Sequence, residues 1–363
     1  MGEKNQYNPD CVSYPGETLA EVLYSLNMTQ AELARKTGHS LKTINEIIKG
    51  KAPISANTAF QLELVTGISA RFWNNREIHY REFLARAAAQ DKFKSDINWL
   101  KNFPIKEMIK RKWLQKGNNQ IEQIHLLLAY FGIASSEQWN NIWVTSRDAS
   151  YRQSKAFKAD PYALAVWIRQ GEIEASKIEC KPYDENKFRQ ALNKIRNLTL
   201  ENLNNYIKEI INGCAEAGVA VVFIQELPRI STYGITRWLR PDKALIQLCI
   251  RGKTHDQLCF TFFHEAGHIL LHGKRDFFIE SKGGQDISKK EKEADSFATE
   301  ILIPHDEWQN FIAQKSFTDK DIINFAKRIN IHQGIIVGRL QHEGYIPYNK
   351  LNYLKLRLQW VTD

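Results

Sequence analysis

Between residues 15 and 67 the apolar side chains recur at helical spacing in four short blocks, each closed by sharp punctuation. Leu19, Val22, Leu23 and Leu26 form the stripe of the first block, residues 18–26. Thr29-Gln30-Ala31-Glu32 opens the second with a capping box, in which the hydroxyl accepts from a free helix amide and the carboxylate reaches back. Gly38 ends that helix, Ser40 caps a third that runs to Lys49, and Ser55 starts a fourth that stops at Gly67. From 69 to 210 the pattern stays helical, with predicted segments at 81–111 (broken at Pro104), 121–130, 136–144, 161–169 and 185–211. The period changes at Gly218. Val219, Val221, Val222, Phe223 and Ile224 form a strand-like run, residues 233–238 and 244–250 read as two more strands, and Pro228 and Pro241-Asp242 mark turns. Helical spacing resumes at Thr254, where Thr254-x-x-Gln257 reads as another capping box. The pattern predicts a mainly α chain with an α+β C-terminal domain. Its expected parts are a helix-turn-helix bundle at 1–80, a basic helical linker region at 81–210, and a domain with a small sheet at 211–363.

Charge adds a partner class. The formal net charge is +9. Residues 1–80 hold 8 basic and 8 acidic side chains, residues 81–200 hold 21 and 13, and residues 201–363 hold 21 and 20. The surplus therefore sits in the middle third, as a solvated helical surface or as one facing nucleic acid or a protein. No apolar run reaches the ~20 residues needed to span a bilayer, and the N-terminus lacks the apolar segment of a signal peptide. No membrane partner is expected. Five widely spaced cysteines without a CxxC pair suggest neither a disulfide framework nor a thiolate zinc site. A reducing cytoplasm is the expected location.

His264-Glu265-Ala266-Gly267-His268 is the most informative string. Two histidines four apart on a helix share one face, and their ring nitrogens can converge on one Zn2+ ion. Glu265 is then placed to accept a proton from an attacking water. A third protein ligand is needed, and Glu291, Glu293 and Asp295 are the candidates. Ser288-x-x-Glu291 is itself a capping box, which gives Glu291 a local task. Glu293 is therefore preferred as ligand, Asp295 is assigned to orienting a histidine, and Glu291 stays open as the alternative. His272 continues the series, but a straight helix does not aim three successive turns at one ion, so packing or support is expected of it. Tyr233, on a candidate edge strand facing substrate, is a candidate oxyanion donor or a packed aromatic.

Residues 30–44 have the layout of a helix-turn-helix, with Ala34 at the crossing, Gly38 in the turn, and Ile44 and Ile47 facing inward. Leu41, Lys42, Asn45, Glu46 and Lys49 are left on the outer face of the recognition helix, where they would enter a major groove of double-stranded DNA. Ser40, which caps that helix, and Thr43 in its first turn are expected to contact DNA with them. Gln30, at the amino end of the preceding helix, is placed to hold a phosphate. Arg71, Arg76 or the basic middle third would supply further phosphate neutralisation.

The two segments resemble known families. Phe260-Thr261-Phe262-Phe263-His264-Glu265-Ala266-Gly267-His268-Ile269-Leu270-Leu271-His272 precedes Glu293-Ala294-Asp295-x-Phe297-Ala298-x-x-Ile301-Leu302-Ile303-Pro304, and together they resemble the ImmA/IrrE metallopeptidases over roughly residues 215–345. Aspartate at 295 stands where asparagine is common in that family. The resemblance implies a zincin-like zinc endopeptidase that cleaves repressor proteins, with Glu293 completing the coordination by His264 and His268. Tyr14-Pro15-Gly16-Glu17-Thr18-Leu19, Gly50-Lys51-Ala52-Pro53-Ile54-Ser55 and Gly67-Ile68-Ser69-Ala70-Arg71-Phe72-Trp73 make residues 14–80 similar to Cro/cI-type helix-turn-helix proteins, and more closely to HigA-like antitoxins. That resemblance implies a repressor acting as a homodimer on a palindromic operator. Two readings of the whole follow: a DNA-binding regulator that cleaves a repressor or toxin-like partner, or a non-catalytic repressor whose metal domain is a sensor or scaffold.

Overall fold

The computed structural model describes residues 12–145, 160–273, 278–281 and 289–360. They divide into two compact units, one of the described residues up to Asn98 with Asn119–Ile124, the other of Trp99–Asn118 and the described residues from His125 onward.

In the first unit α1 (Pro15–Ser25), α2 (Gln30–Thr37), α3 (Leu41–Ile48), α4 (Ala56–Thr66) and α5 (Ala70–Ser95) follow one another. Their core is Leu19, Leu23, Leu33, Ala34, Ile44, Ile47, Ile54, Ala59, Leu62 and Trp73. The punctuation acts as its chemistry dictates. Glu32 N–H donates to Thr29 Oγ1 at 3.2 Å while Thr29 N–H donates to Glu32 Oε2 at 2.9 Å. Gly38 takes φ 74°, the left-handed turn that aims α3 across α2. Helix α1 starts at Pro15, ahead of its apolar stripe, because proline fits the first helical position. Helix α5 runs through residue 80, where a domain boundary was expected. Its buried Glu77 accepts from Ile54 N–H at 3.1 Å and so still serves the helical bundle.

The chain continues through α6 (Ile97–Leu100), α7 (Ile105–Lys110), α8 (Gln120–Phe131) and α9 (Ser136–Trp139), which passes into a π-helical turn, Asn140–Thr145. Helix α10 (Pro161–Lys177) follows. The helix expected over 185–211 is two helices, α11 (Glu185–Asn197) and α12 (Leu203–Glu216). Asn202 starts the second by accepting from Asn205 N–H at 3.0 Å. The expected division after residue 210 falls inside α12. Phe188, Leu192, Tyr206 and Ile210 of these helices share one core with Val219, Ile246, Phe262, Phe263 and Trp308 farther along.

The sheet has four described strands, β1 (Val219–Phe223), β2 (Thr232–Arg240), β3 (Lys243–Leu248) and β4 (Phe278–Ser281), in the order β1-β3-β2-β4. Strands β1 and β3 are parallel, and the other pairs are antiparallel. Strand β2 is therefore interior, and Tyr233 does not lie on an edge. Helix α10 covers one face of the sheet, where Gln247 Nε2–H donates to Trp167 O at 2.8 Å. Helix α13 (His255–Leu271) covers the other, where the Thr236 hydroxyl donates to Glu265 O at 3.0 Å. Helices α14 (Lys289–Leu302), α15 (His305–Ile312), α16 (Asp319–Arg328) and α17 (Gln333–His342) complete this unit.

The start of α13 is held by distant chain rather than by its expected capping box. Thr254 makes no side-chain cap. Instead His255 N–H donates to Leu356 O at 2.9 Å, and Leu358 N–H to Lys253 O at 2.8 Å. Beside them Lys355 Nζ lies 2.7 Å from Asp256 Oδ2 in a buried ion pair. His255 sits at this joint, only 2% exposed, with Nε2 3.3 Å from Cys259 Sγ and its ring edge-on to Tyr206 and His332. Burial, helped by His332, pushes the His255 pKa from 6.5 down to about 4. Between those values the unfolded chain binds a proton that the folded chain refuses. Stability therefore rises with pH across that window and is lost on acidification, by about 3 kcal/mol at most. Urea melts at pH 7 and pH 5 should show His255→Gln losing less stability on acidification than wild type. Equal acid losses in the two proteins would remove His255 from that account.

Candidate metal centre

Helix α13 places His264 and His268 one turn apart, and both are buried at 2% exposure. Their Nε2 atoms are 3.0 Å apart. Helix α14 lies along the same face of α13, with Ala294 and Ala298 fully buried, and delivers Glu291 in its first turn. Glu291 Oε2 lies 3.3 Å from His264 Nε2, and Oε1 lies 3.6 Å from His268 Nε2. One ligand atom from each of the three residues falls within 4.8 Å of the other two. Two imidazoles and a carboxylate are a donor set that catalytic zinc sites use, with one position left for water. The residues present fit such an ion.

Glu293 does not join them, contrary to the sequence expectation. Two residues along a helix turn the side chain by about 200°, so Glu291 and Asp295 share a face that Glu293 leaves. Glu293 Oε2 instead meets His272 Nε2 at 3.1 Å. Asp295 Oδ1 lies 2.9 Å from His264 Nδ1, on the side of the ring away from the cluster. The capping residue expected for Glu291, Ser288, lies outside the described residues.

Protonation suits metal binding. Burial pushes the His268 pKa down to about 4, against the opposing pull of Glu291. Burial works against ionisation of Glu291, but the His264 and His268 rings that face it outweigh this and hold the carboxyl well below its usual range. At neutral pH the set is a neutral His268 and an anionic Glu291, as a metal ligand must be.

Glu265 is 0% exposed and lies against strand β2. A Cβ placed on Gly234 would lie 2.8 Å from both Glu265 Oε1 and Thr261 Cγ2. Only glycine lets β2 approach the Glu265 carboxylate this closely. Sequence reasoning missed Gly234. The available signal was a glycine inside a strand pattern, which marks close approach of backbone to something else.

The other expected residues lie in the first unit. On α3 and its C-terminal cap Lys49, Leu41 is 52% exposed, Lys42 and Lys49 are exposed, and Thr43, Asn45 and Glu46 are half-buried, opposite the buried Ile44 and Ile47. Lys42 Nζ lies 4.0 Å from Glu46 Oε1. The Ser40 and Thr43 hydroxyls are 2.8 Å apart, and Ser40 Oγ also accepts from Thr43 N–H at 3.0 Å, so both hydroxyls help to start the helix. Gln30 is exposed at the first position of α2. Arg76 is already committed: its guanidinium donates to Ser13 Oγ at 2.7 Å and to Thr18 Oγ1 at 3.0 Å.

Residues 19–73 match a helix-turn-helix family model, and residues 237–341 match a peptidase-family model described as the IrrE N-terminal-like domain. No curated protein matches the chain. Among solved structures, an antidote protein of a plasmid maintenance system from Nostoc punctiforme is 27% identical, covering 23% of this chain and 92% of its own, with a TM-score of 0.23. A HigA-family addiction-module antidote protein from Coxiella burnetii is 29% identical over 23% and 92%, with a TM-score of 0.22. The antitoxin HigA of Pseudomonas aeruginosa, solved with its higBA promoter, is 32% identical over 24% and 95%, with a TM-score of 0.23. Among the described residues no helix is long and apolar enough to cross a membrane.

Gly234→Ala would press a methyl group onto Glu265 and Thr261. Urea melts are expected to show a loss of about 1–3 kcal/mol, the usual cost of overpacking, and unchanged stability would mean that β2 does not press on Glu265.

Proposed function

We propose that the chain is a DNA-binding regulator whose C-terminal domain is a zinc-dependent endopeptidase acting on a regulatory protein. The observation that carries the enzymatic half is the meeting of His264, His268 and Glu291 beside the buried Glu265. A zinc ion held by those three would supply a Lewis acid able to polarise a peptide carbonyl. Glu265 would take a proton from the attacking water and hand it to the leaving amine. Strand β2, through Gly234 and the Thr236–Glu265 hydrogen bond, keeps the helix segment carrying that carboxylate fixed.

The test is direct. Purified full-length protein should carry one zinc per chain by elemental analysis. Glu265→Gln should keep the metal and abolish cleavage of a partner repressor or toxin-like protein, while Glu291→Gln should lose the metal itself. A wild-type protein without zinc, or Glu265→Gln with full cleavage, would end this reading.

The DNA-binding half rests on the helix-turn-helix match and on the solvent-facing side chains of α3. A homodimer would present two copies of α3 to the half-sites of a palindromic operator. Lys42 on that helix and Lys49 at its C-terminal cap are exposed cations, so they would meet phosphates or base edges together with Gln30, Ser40, Leu41, Thr43, Asn45 and Glu46. With charges balanced over residues 1–80, each such cation carries weight in neutralising the backbone. Lys49→Ala should weaken operator binding and flatten its dependence on log salt by about one unit, read by fluorescence anisotropy across a salt series. An unchanged slope would take Lys49 out of the DNA contact.

A further inference from the structure

The acidic side chains of α14 alternate through Glu291, Glu293 and Asp295, and the proposed metal reading engages two of them. Glu291 faces the two Nε2 atoms, and Asp295 backs His264 at Nδ1. At His268 Nδ1 lies His272, with the two Nδ1 atoms 3.0 Å apart, and beyond it Glu293, 3.1 Å from His272 Nε2.

We propose that His272 and Glu293 form a positioning relay that fixes the ring of His268 for metal binding. The inference rests on the zinc reading above. A neutral imidazole carries one N–H. To offer Nε2 to an ion, His268 must carry its proton on Nδ1. That N–H points at His272 Nδ1, which must then accept, so the His272 proton sits on Nε2 and is donated to Glu293 Oε2. Each donor meets an acceptor at every step, and reversing any one of them leaves two donors or two bare lone pairs face to face. The two metal-facing histidines are thus supported by different routes, one directly by Asp295 and the other by Glu293 through a second ring.

The end of α13 makes this possible. The helix stops at Leu271, and His272 takes φ −122° and ψ 161°, an extended conformation. Continued helix would have carried the ring along the helix face. Leaving the helix lets it fold back on His268, with ring centroids 5.0 Å apart at an interplanar angle of 46°. The His268 side chain is 0% exposed and that of His272 3%, so neither ring finds a substitute partner in solvent, whereas Glu293 stands at the rim at 42% beside Lys289. His272 is not itself a ligand in this arrangement, because the side of His268 that it meets is the one turned away from His264 and Glu291.

The test uses full-length protein, zinc affinity from chelator competition, and the visible absorption of the cobalt-substituted protein. Glu293→Gln and His272→Ala should each weaken zinc binding by about 10–100-fold, the usual effect of losing an outer partner of a histidine ligand. The cobalt spectrum should shift in both, reporting a changed ligand field. The double variant should bind no worse than His272→Ala alone, because Glu293 acts through His272. Additive losses, or single variants with wild-type affinity and spectrum, would overturn the relay while leaving the site standing if Glu291→Gln is defective. A wild-type chain that binds no zinc overturns both. Glu293 lies at the surface, so its variant keeps the test decisive even if His272→Ala does not fold.

Discussion

Two histidine nitrogens 3.0 Å apart in an apolar interior cannot both present bare lone pairs to one another. Either a proton or a cation must lie between them, and the rest of the C-terminal unit is arranged around that constraint. Helix α14 brings a carboxylate to the shared point. Burial holds the His268 ring neutral, so it keeps a lone pair for one of its two sides. The outer nitrogen of each ring is engaged by its own partner, Asp295 for His264 and His272 for His268. A site of this kind is rigid because its orientation is set from behind as well as in front.

The same helix is fixed at both ends and along one side. Its first amide donates to the C-terminal segment at Leu356, next to the buried Asp256–Lys355 pair. Its middle lies on β2, where Gly234 leaves room for Glu265 and Thr236 bonds to the Glu265 carbonyl. Residues far apart in the chain thus converge on one seventeen-residue helix. The helices α11 and α12 belong to this assembly as well, since Phe188, Tyr206 and Ile210 lie in the same core as Phe262 and Phe263. The basic middle third is therefore divided in its allegiance: its last part helps to build the unit that carries the candidate metal site.

The first unit is made by local rules. Its helices are short, and short helices depend on their ends. Thr29, Ser40, Ser55 and Ser69 each accept from an amide in the first turn of the following helix, and Gly38 and Gly67 turn the chain in the left-handed region. This leaves the polar side of α3 free of structural work except where Ser40 and Thr43 start the helix. In the proposed regulator the two units contribute different physics: one offers a solvated polar helix face, the other a dry pocket of ligands.

Whatever depends on neighbours within a turn or two could be read along the chain. Capping boxes, left-handed glycines, the one-turn spacing of His264 and His268, and the change of period at Gly218 all follow from local geometry, and the helix-turn-helix and the mainly helical architecture with its small sheet were legible on those grounds. Packing in three dimensions chose which residues from elsewhere meet these elements, so here it is the folded structure that supplied the answer. It set Glu291 rather than Glu293 against the histidines, because the rotation of α14 relative to α13 is fixed by how the two helices pack. It replaced the expected cap at Thr254 by the Leu356 carbonyl from the far end of the chain, placed β2 inside the sheet rather than at its edge, and committed Arg76 to Ser13 and Thr18. Spacing along the chain fixes which way a side chain points from its own helix. It does not carry the phase between two helices, and that phase chooses among three alternating carboxylates.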